Sequence, residues 1–298
     1  MIMETALPNL LHRGKVRDTY PLSGDRLLMV ATDRISAFDV VLPNGIPSKG
    51  LVLNRMSAFW FDRTRHLLPN HFLALSDEPD VVSRFGGNGL LASLPPDIAR
   101  QAMVVQRAQR IDIECIVRGY ITGSAWAEYR RQGTVSGAPM PPGLVEGQAF
   151  PEPLFTPTTK AEQGHDQNMS TQEVIDMVGL GLARRLEEAS KAIYLFALDY
   201  SRQRGIILAD TKMEFGLVDG RIILIDELLT PDSSRFWDVA GYQPGRSQPN
   251  FDKQFVRDWL TSQSWNREPP APSLPDDVVA KTAERYLEAY YRLTGMRL

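Results

Sequence analysis

The chain has 298 residues, with 33 Lys and Arg against 36 Asp and Glu, and a formal net charge of −3. Apolar residues make up 43% and charged residues 23%, a globular composition that excludes intrinsic disorder. The near-neutral charge excludes a general nucleic-acid coat, which requires a basic face, so we expect no nucleic-acid partner.

Three further features limit the class of protein. The single cysteine, Cys115, excludes an intramolecular disulfide and a cysteine-based structural zinc site. The longest apolar run, residues 192–198, is much shorter than the ~20 residues that a membrane helix needs. Residues 1–15 lack the basic and then apolar pattern of a secretory signal. We therefore expect a cytoplasmic protein with no membrane partner.

Strands and helices are predicted in mixed order along the first half. The apolar run 26–32 predicts a strand, and helical spacing of apolar residues over 54–67 predicts an amphipathic helix. Runs rich in Val and Ile at 102–108 and 114–120 predict two more strands. Gly and Pro are dense over 133–164, which predicts a long loop without regular structure. Residues 133–169 are the candidate lid over a site.

The second half begins with helices. Ser170 and Glu173 form a capping-box pattern, and the helical block runs to about residue 204 with a break near Gly179. Strands are predicted at 206–218 and 221–228, and helices at 251–262 and 275–294. Because strands and helices do not alternate strictly, the expected class is α+β. We expect a smaller N-terminal lobe over residues 1–108 and a larger domain over 109–298.

The strongest chemical signal is the predicted hairpin at residues 206–228. Alternate side chains of a strand share a face, so Asp210, Lys212 and Glu214 line up together. The returning strand is apolar until Asp226 and Glu227, which predicts that it is buried. Ionised carboxylates at the end of a buried strand are expensive without partners. These acids therefore predict a charged site at this hairpin.

The register of this hairpin has two alternatives. A two-residue loop at Asp219-Gly220 pairs Glu214 with Ile225 and places Asp226 on the opposite face. A three-residue loop with Gly220 in the left-handed region pairs Lys212 with Asp226, so that the charged residues converge. We expect the second register. Two carboxylates and a lysine suit a magnesium–phosphate site, whereas the alternative is an ion-pair network that only fixes the hairpin.

Two other segments have the residues of an anion site. In LHRGKVRDTY, residues 11–20, glycine allows the backbone to approach a phosphate that Lys15 and Arg17 neutralise. The alternative is an ordinary basic hairpin. In ECIVRGYITGSAWAEY, residues 114–129, Arg118 could clamp an anion and Ser124 could cap a helix start. The alternative there is an exposed arginine and a plain serine cap.

Two loops carry further candidate contacts. The segment FTPTTKAEQGHDQNMS, residues 155–170, contains Lys160, His165 and Asp166, which could contact a substrate or could be exposed to solvent. The segment 32–50, which includes Asp39, could hold a small amino acid through its ammonium and carboxylate, or could be a turn with surface charges. The other histidines show no metal-binding spacing.

Taken in order, these segments resemble the SAICAR synthetase (phosphoribosylaminoimidazole-succinocarboxamide synthase) family over nearly the whole chain. The matching motifs are GKVRDTY, TDRISAFDV, IPSKG, ECIVRGYITGSAW, EPLFTPTTKAEQGHDQNMS, DTKMEFG and DELLTPDSSRFWD. The resemblance implies a ligase of purine biosynthesis that joins carboxyaminoimidazole ribotide (CAIR) to L-aspartate. It implies ATP as co-substrate, Mg²⁺ as cofactor, and SAICAR, ADP and phosphate as products. It also implies a two-lobed fold related to the ATP-grasp and kinase-like folds, with ATP between the lobes.

The resemblance also implies roles for individual positions. Lys15, Arg17 and Gln106 match nucleotide-binding positions, and Glu214 and Asp226 match the acids that bind magnesium and the triphosphate. The positions beside the reacting carboxylate, the implied catalytic pair, are Asp210 and Lys212. The implied substrate-binding positions are Asp39, Arg118, Ser124, Lys160, His165, Asp166, Asp232 and Arg235.

Two other functions fit parts of the pattern. A small-molecule kinase would share the phosphate loop and the metal-binding acids, but it would make a stable phosphorylated product without consuming aspartate. The sequence lacks the HRD and DFG signatures of protein kinases. A silent nucleotide-binding regulator would bind ATP without needing a complete acceptor site. The sequence is compatible with either a monomer or a homodimer.

Overall fold

The structure is a computed structural model that describes residues 1–86, 89–160 and 167–298. Within these ranges, the first 108 residues form an antiparallel sheet of strand order β1-β2-β3-β7-β6 and a separate β4–β5 hairpin. The elements in chain order are β1 (His12–Arg13), β2 (Arg17–Pro21), β3 (Arg26–Ala31), β4 (Arg34–Ala37), β5 (Val40–Gly45), α1 (Lys49–Thr64), β6 (Phe72–Leu75), α2 (Val81–Phe85), α3 (Pro96–Arg100) and β7 (Ala102–Gln106).

The remainder is built on a second antiparallel sheet with helices packed around it. Its elements are β8 (Gln109–Tyr120), α4 (Gly123–Gln132), β9 (Thr134–Val135), β10 (Ala138–Pro139), β11 (Ala149–Phe155), β12 (Thr158–Thr159), α5 (Thr171–Val178), α6 (Leu180–Arg202), β13 (Ile206–Val218), β14 (Arg221–Ile225), β15 (Ser234–Asp238), α7 (Gln254–Ser262) and α8 (Asp276–Thr294). Strand β13 is central: β8 pairs with one edge, and β15 and β14 pair in succession with the other. None of the described helices is long and apolar enough to span a membrane.

One hydrophobic core joins the two sheets. It includes Val52 and Trp60 of α1, Tyr194 of α6, Phe215 of β13 and Tyr286 of α8. Helix α1 packs against both β3 and α8, so it connects the N-terminal sheet with the C-terminal helix. The predicted boundary at 108/109 falls between β7 and β8. The hydrophobic core contains residues from both sides of this boundary, and the division into two domains stays a prediction.

The mixed α+β class is confirmed, and several predicted elements match closely. Strand β13 occupies the predicted residues, the capping box at Ser170 is formed, and the helical block breaks at Gly179. Helix α1 begins at Lys49, five residues before the predicted start at 54. Its first turn contains Gly50, which packs against the Ala31 carbonyl where a Cβ would clash. Glycine is unfavourable inside helices, so the sequence did not predict this first helical turn, where Gly50 allows close packing.

The predicted loop at 133–164 is wrong in part, because β11 and β12 pair with β8 and a small β9–β10 hairpin precedes them. Strand β11 lies at the edge of the sheet, and its pairing is interrupted between Ala149 and Leu154, the stretch that contains Pro151 and Pro153. Proline removes a backbone donor, which an edge strand tolerates and a central strand does not. High proline content therefore did not exclude a strand here.

The predicted register of the β13–β14 hairpin is also wrong. The strands are joined by a two-residue loop, so Val218 pairs with Arg221 and Glu214 pairs with Ile225 rather than Lys212 with Asp226. Both loop residues are left-handed, with φ of 50° at Asp219 and 73° at Gly220. The favoured two-residue hairpin turn requires positive φ at both positions, and Asp-Gly is well suited to it.

Candidate active site

A row of charged side chains crosses strands β8, β13 and β15. Asp210 pairs with Arg118 on one side and with Arg235 on the other. Its Oδ2 accepts hydrogen bonds from Arg118 Nη1 at 2.9 Å and from Arg235 Nη1 at 2.5 Å. The buried guanidinium of Arg118 and the partly buried guanidinium of Arg235 thus share one carboxylate. The surplus positive charge and the free donors suit a phosphate or carboxylate ligand.

Polar neighbours fix the guanidinium of Arg118. Its Nε donates to Thr156 Oγ1 at 3.0 Å and its Nη2 donates to Ser124 Oγ at 3.1 Å. Burial lowers the pKa of Arg118 and Asp210 opposes that change, so the group stays a cation at neutral pH. Ser124 is not the predicted helix cap, since α4 starts at Gly123 with Thr122 as its N-cap residue. Its hydroxyl instead orients Arg118.

A cavity of about 390 Å³ lies along α4, and its wall contains Ser124, Glu128, Arg131 and Asn168. Only Ser124 joins this cavity to the row, through its hydrogen bond with Arg118. The start of α4 approaches Arg235 so closely that a Cβ at Gly123, where φ is +57°, would clash with the guanidinium. Glycine therefore allows the helix start and the arginine to occupy adjacent positions.

A second charged cluster lies on the same face of β13, around Lys212 and Glu214, two and four residues after Asp210. Glu114 and Glu214 are directly opposed across β8 and β13, and each is 5% exposed. Lys212 Nζ donates to Glu114 Oε1 at 2.5 Å and lies 3.6 Å from Glu214 Oε1. Lys160 forms an ion pair with Glu214 and lies 3.5 Å from Glu114 Oε1. Two like charges directly opposite on neighbouring strands are destabilising. The two lysines therefore neutralise the two facing carboxylates.

Lys212 stays charged in this cluster. Burial lowers its pKa, but Glu214 and Glu114 outweigh burial, so the pKa is raised above the usual lysine value. Asp226 contributes to the same rise. Asp226 thus influences Lys212 electrostatically, but the pairing of Lys212 with Asp226 that the predicted register required is not formed. Asp226 follows the end of β14 with φ of 66°, so strand alternation no longer fixes the direction of its side chain.

Arg17 connects the N-terminal sheet to this cluster. Its Nη2 lies 2.9 Å from Glu227 Oε2, and its Nη1 lies 3.5 Å from Asp226 Oδ1. Burial lowers the pKa of Arg17, but Glu227 and Asp226 raise it further, so the guanidinium is charged. Lys15, two residues earlier, forms an ion pair with Asp39, and both side chains are partly exposed. The predicted phosphate loop thus lies beside the predicted metal acids.

Asp232 belongs to a third group of charges. Its carboxylate accepts hydrogen bonds from Lys49 Nζ at 2.8 Å and from Tyr286 OH at 2.7 Å. Burial raises the pKa of Asp232, but Lys253 and Lys49 outweigh burial and hold it well below the usual range. The carboxylate is therefore ionised, and its partners Lys49 and Tyr286 are fully buried.

The remaining predicted residues lie at the margins of the described site. Gln106 ends β7, where its backbone N–H donates to the His71 carbonyl at 2.7 Å. His165 and Asp166 fall in 161–166, outside the described residues.

Sequence reasoning assigned no role to Glu114, Lys253 or Arg257. Glu114 lies between the apolar residues Ile113 and Cys115 of β8, and an acid in such a position is a signal of a buried charge. Lys253 and Arg257 are four residues apart, one helical turn, at the start of α7. Burial lowers the pKa of Lys253 to about 8, with Asp232 opposing, and burial also lowers the pKa of Arg257. Both cations therefore interact with the acids of the site.

The donor set around Lys212 fits a magnesium ion that also binds phosphate. Glu214 and Asp226 offer hard carboxylate oxygens, which Mg²⁺ prefers. In residues 1–86, 89–160 and 167–298, no three His, Cys, Asp or Glu side chains are grouped to hold a metal ion. Mg²⁺ commonly uses one or two carboxylates with waters and substrate phosphates rather than a cage of protein ligands. Two acids beside a phosphate loop meet that requirement.

Comparison with known proteins gives one consistent family. The sequence model of the SAICAR synthetase family matches residues 10–272. The phosphoribosylaminoimidazole-succinocarboxamide synthase of Maridesulfovibrio salexigens is 47% identical, covering 100% of this chain and 98% of that protein. The synthase of Thermodesulfovibrio yellowstonii is 50% identical over 99% of both chains.

Solved structures agree. The SAICAR synthase from Saccharomyces cerevisiae complexed with SAICAR superposes with a TM-score of 0.89 at 43% identity, covering 100% of this chain and 99% of that one. A SAICAR synthetase in complex with ADP superposes with a TM-score of 0.70 at 23% identity, covering 96% and 98% of the two chains. The second likeness shows that the fold is shared.

Proposed function

The chain belongs to the SAICAR synthetase family and is an ATP-dependent ligase, and we propose that the charged face of β8 and β13 is its active site. The reaction forms an amide between CAIR and L-aspartate and releases SAICAR, ADP and phosphate. It is a step of purine biosynthesis.

The observation that carries the site is the alternation of Asp210, Lys212 and Glu214 along one strand. Asp210 holds the anion-binding arginines, Glu214 is one of the metal-site acids, and Lys212 lies between them. Four residues of a strand span roughly 13 Å at about 3.3 Å per residue. A ribotide could therefore lie along β13 with its phosphate at one end and its carboxylate at Lys212.

We assign the phosphate of CAIR to Arg118, Arg235 and Ser124. Arginine pairs with phosphate through two parallel hydrogen bonds, and Asp210 holds both guanidinium groups in place. The other substrate-side residues of this proposal are Asp39, Lys160, His165, Asp166 and Asp232. They include cations for the carboxylates of L-aspartate and acids for its ammonium group.

The nucleotide is assigned to the opposite side of Lys212. Lys15 and Arg17 neutralise phosphate charge, and Gln106 lies near the adenine. Glu214 and Asp226 would hold Mg²⁺, which neutralises triphosphate charge when bound. Glu214 pairs with Ile225, the residue before Asp226, so both acids come from the end of the β13–β14 pairing that lies away from the turn.

The chemistry follows from the poor electrophilicity of a carboxylate. A carboxylate oxygen of CAIR attacks the γ-phosphorus of ATP, the bond between that phosphorus and the β,γ-bridging oxygen breaks, and ADP leaves. The aspartate amine then attacks the acyl-phosphate carbon, loses a proton, and displaces phosphate. Lys212 neutralises the charge of the reacting carboxylate, and most of the rate enhancement comes from positioning. This scheme needs no cysteine or serine nucleophile.

The finer description of the molecule belongs to the same proposal. We infer a smaller lobe of residues 1–108 and a larger domain of residues 109–298, with ATP in the cleft between them, in a fold related to ATP-grasp. The ion pairs of Arg17 with Asp226 and Glu227 support the position of the cleft, because they join residues 1–108 to residues 109–298 on the proposed nucleotide side of the site. A cytoplasmic location is part of the proposal.

Glu214→Gln and Asp226→Asn test the metal assignment. Each removes one carboxylate charge, so we expect kcat/KM to fall by about 100-fold or more and Mg-ADP to bind more weakly in calorimetry. Asp219→Asn is a matched control, because Asp219 lies exposed in the turn of the same hairpin. Unchanged Mg-ADP affinity in both E214Q and D226N would contradict the assignment.

A further inference from the structure

A buried arginine at the start of β4 lies directly behind the predicted phosphate loop. The side chain of Arg34 is 8% exposed, and its guanidinium group makes four hydrogen bonds. Its Nη2 donates to the Gly14 carbonyl at 3.0 Å and to Asp18 Oδ1 at 2.8 Å, and its Nε donates to the Lys15 carbonyl at 3.1 Å. Its Nη1 donates to the Met3 carbonyl at 2.6 Å. Arg34 therefore binds two successive peptide groups of the loop as well as a carboxylate.

The next residue of the loop is held from the same segment of the chain. The Val16 carbonyl accepts hydrogen bonds from the Thr32 N–H at 2.9 Å and from Thr32 Oγ1 at 2.8 Å. The carbonyl groups of residues 14–16 therefore all accept from residues 32–34, which connect β3 to β4. The side chain of Lys15 is nevertheless half exposed, so this cation stays accessible while its own carbonyl is bound.

This arrangement favours an anion in front of the loop. Carbonyl oxygens carry partial negative charge and repel a phosphate, whereas backbone N–H groups and lysine attract it. A loop that binds phosphate therefore has to hold its carbonyl groups away from the ligand. Arg34 has a planar fork of donors for this purpose, and arginine is not deprotonated in proteins. Asp18 is fully buried and balances the charge of Arg34, so the pair is neutral as a whole.

We propose that Arg34 is a positioning residue, which holds the carbonyl groups of Gly14 and Lys15 away from the nucleotide and so sets the loop for phosphate binding. The inference rests on the proposed nucleotide site at Lys15 and Arg17. Arg34 acts through the loop and does not itself touch the nucleotide, because its guanidinium group is buried behind these carbonyls. A binding group is effective only when buried neighbours fix its geometry, which is the role assigned to Arg34.

The test measures Mg-ADP affinity by calorimetry and stability by thermal unfolding. Arg34→Lys keeps the positive charge that pairs with Asp18, but a single ammonium nitrogen cannot occupy the separate positions of Nε and Nη2. We expect R34K to bind Mg-ADP about tenfold more weakly, because charge-assisted hydrogen bonds to the loop carbonyls are lost. In steady-state kinetics the KM for ATP should rise, while the KM for CAIR should stay within about twofold of wild type.

A double variant keeps the test decisive if R34K does not fold. R34Q/D18N replaces the buried ion pair with two amides, so it leaves no charge without compensation. It also lacks the guanidinium fork, and it should therefore show the same loss of Mg-ADP affinity as R34K.

Thr5→Val is the matched control. Thr5 Oγ1 donates to Asp18 Oδ2 at 2.6 Å, so T5V weakens the binding of the same carboxylate but removes no hydrogen bond to the loop carbonyls. It should lower the unfolding temperature without changing Mg-ADP affinity. The inference is overturned if R34K or R34Q/D18N binds Mg-ADP as tightly as wild type, or if T5V weakens binding as much as R34K does.

Lys15→Met separates this inference from the proposed nucleotide site on which it rests. K15M removes a half-exposed cation of the loop and leaves the bonds of Arg34 to the backbone in place. Weaker Mg-ADP binding in K15M with no change in the Arg34 variants would overturn only the role of Arg34. Unchanged binding in K15M would overturn the assignment of the loop to the nucleotide and with it this inference.

Discussion

Glu114 and Glu214 are held face to face by the charges of Lys212 and Lys160, and this compensation makes a concentrated acidic site stable before any metal ion binds. Removing one partner of a buried ion pair leaves a charge without compensation, whereas removing both partners can be nearly neutral. The same residues therefore serve stability and chemistry, and mutations can separate the two.

Lys212→Met should lower the free energy of unfolding by about 2 kcal/mol, a value reduced from the fully buried case because Lys212 is 32% exposed. Adding Glu114→Gln should restore most of that stability without restoring ligase activity. Urea unfolding of the single and double variants measures the coupling. Lys191→Met, which breaks an exposed ion pair with Glu187 on α6, should change stability by less than about 0.5 kcal/mol. A K212M/E114Q variant less stable than K212M would contradict the compensation.

Asp18 gives the pH dependence of stability. It is fully buried, and it accepts hydrogen bonds from Arg34 Nη2 at 2.8 Å and from Thr5 Oγ1 at 2.6 Å. Burial raises the pKa of Asp18, but the bonds from Arg34 and Thr5 outweigh it, so the pKa is lowered. A lowered pKa stabilises the fold fully above the unfolded value of about 3.9, and this contribution is lost as the pH falls through the folded value.

Asp18→Asn should therefore cost about 3 kcal/mol at pH 7, and the difference from wild type should shrink as the pH falls below about 4. Urea unfolding of both proteins between pH 7 and pH 3 measures this. A difference that stays constant over the whole range would show that the charge of Asp18 does not contribute.

At this scale the sequence predicted what strand alternation controls. Asp210, Lys212 and Glu214 share a face as expected, because all three lie inside β13. Asp226 was placed by the wrong register, because its direction depends on a left-handed residue after the strand, which alternation cannot predict. Glu114 was missed because the predicted strand around it is apolar, and its partners are Lys160 and Lys212, each distant in sequence.

At the scale of elements, the start of α4 and the strands β8, β13 and β15 together form the row of charges that we propose binds the phosphate of CAIR. Gly123 permits the close approach of the α4 start to Arg235, since a Cβ at this position would clash with the guanidinium. Its φ of +57° adds backbone strain for other residues. Gly133 ends the same helix with φ of +71° but has open space around the position of a Cβ. Substitution of Gly133 therefore introduces backbone strain alone, whereas substitution of Gly123 introduces the same strain and also displaces Arg235.

Gly123→Ala should raise the KM for CAIR by about tenfold or more, because displaced Arg235 loses its phosphate contact. Gly133→Ala should leave that KM unchanged, although both variants should lose about 1 kcal/mol of stability from the left-handed backbone. Steady-state kinetics with varied CAIR and thermal unfolding measure the two effects. Equal KM values in the two variants would contradict the role of the close approach.

The predicted elements were most accurate where local chemistry decides them. The capping box at Ser170 fixes the start of α5 whatever lies around it. Strand β11 was missed because its prolines are tolerated only by virtue of its edge position, which is a property of the sheet. The start of α1 was missed because glycine is typical of turns, whereas Gly50 lies in the first turn of the helix and packs against Ala31.

At the scale of the whole molecule, the N-terminal sheet and the β13 sheet each supply half of the proposed site and share one core. Arg17 and the Lys15–Asp39 pair come from the first part, and the acids and anion-binding arginines come from the second. A ligase needs this arrangement because nucleotide and acceptor must meet at one carboxylate. The order of motifs along the sequence predicted the family. The common core that joins the two parts could not be predicted from the sequence and is seen only in the structure.

Release of ADP by the purified protein with Mg-ATP, omitting CAIR and L-aspartate one at a time, distinguishes a ligase from a kinase and from a silent nucleotide-binding protein. We expect that sustained release requires both substrates and that one SAICAR forms for each ADP. Sustained release with CAIR alone, together with a stable phosphorylated product, would contradict the ligase function and indicate a kinase. Binding of ATP without turnover under every combination would contradict it as well, because the complete acceptor site would then have no function.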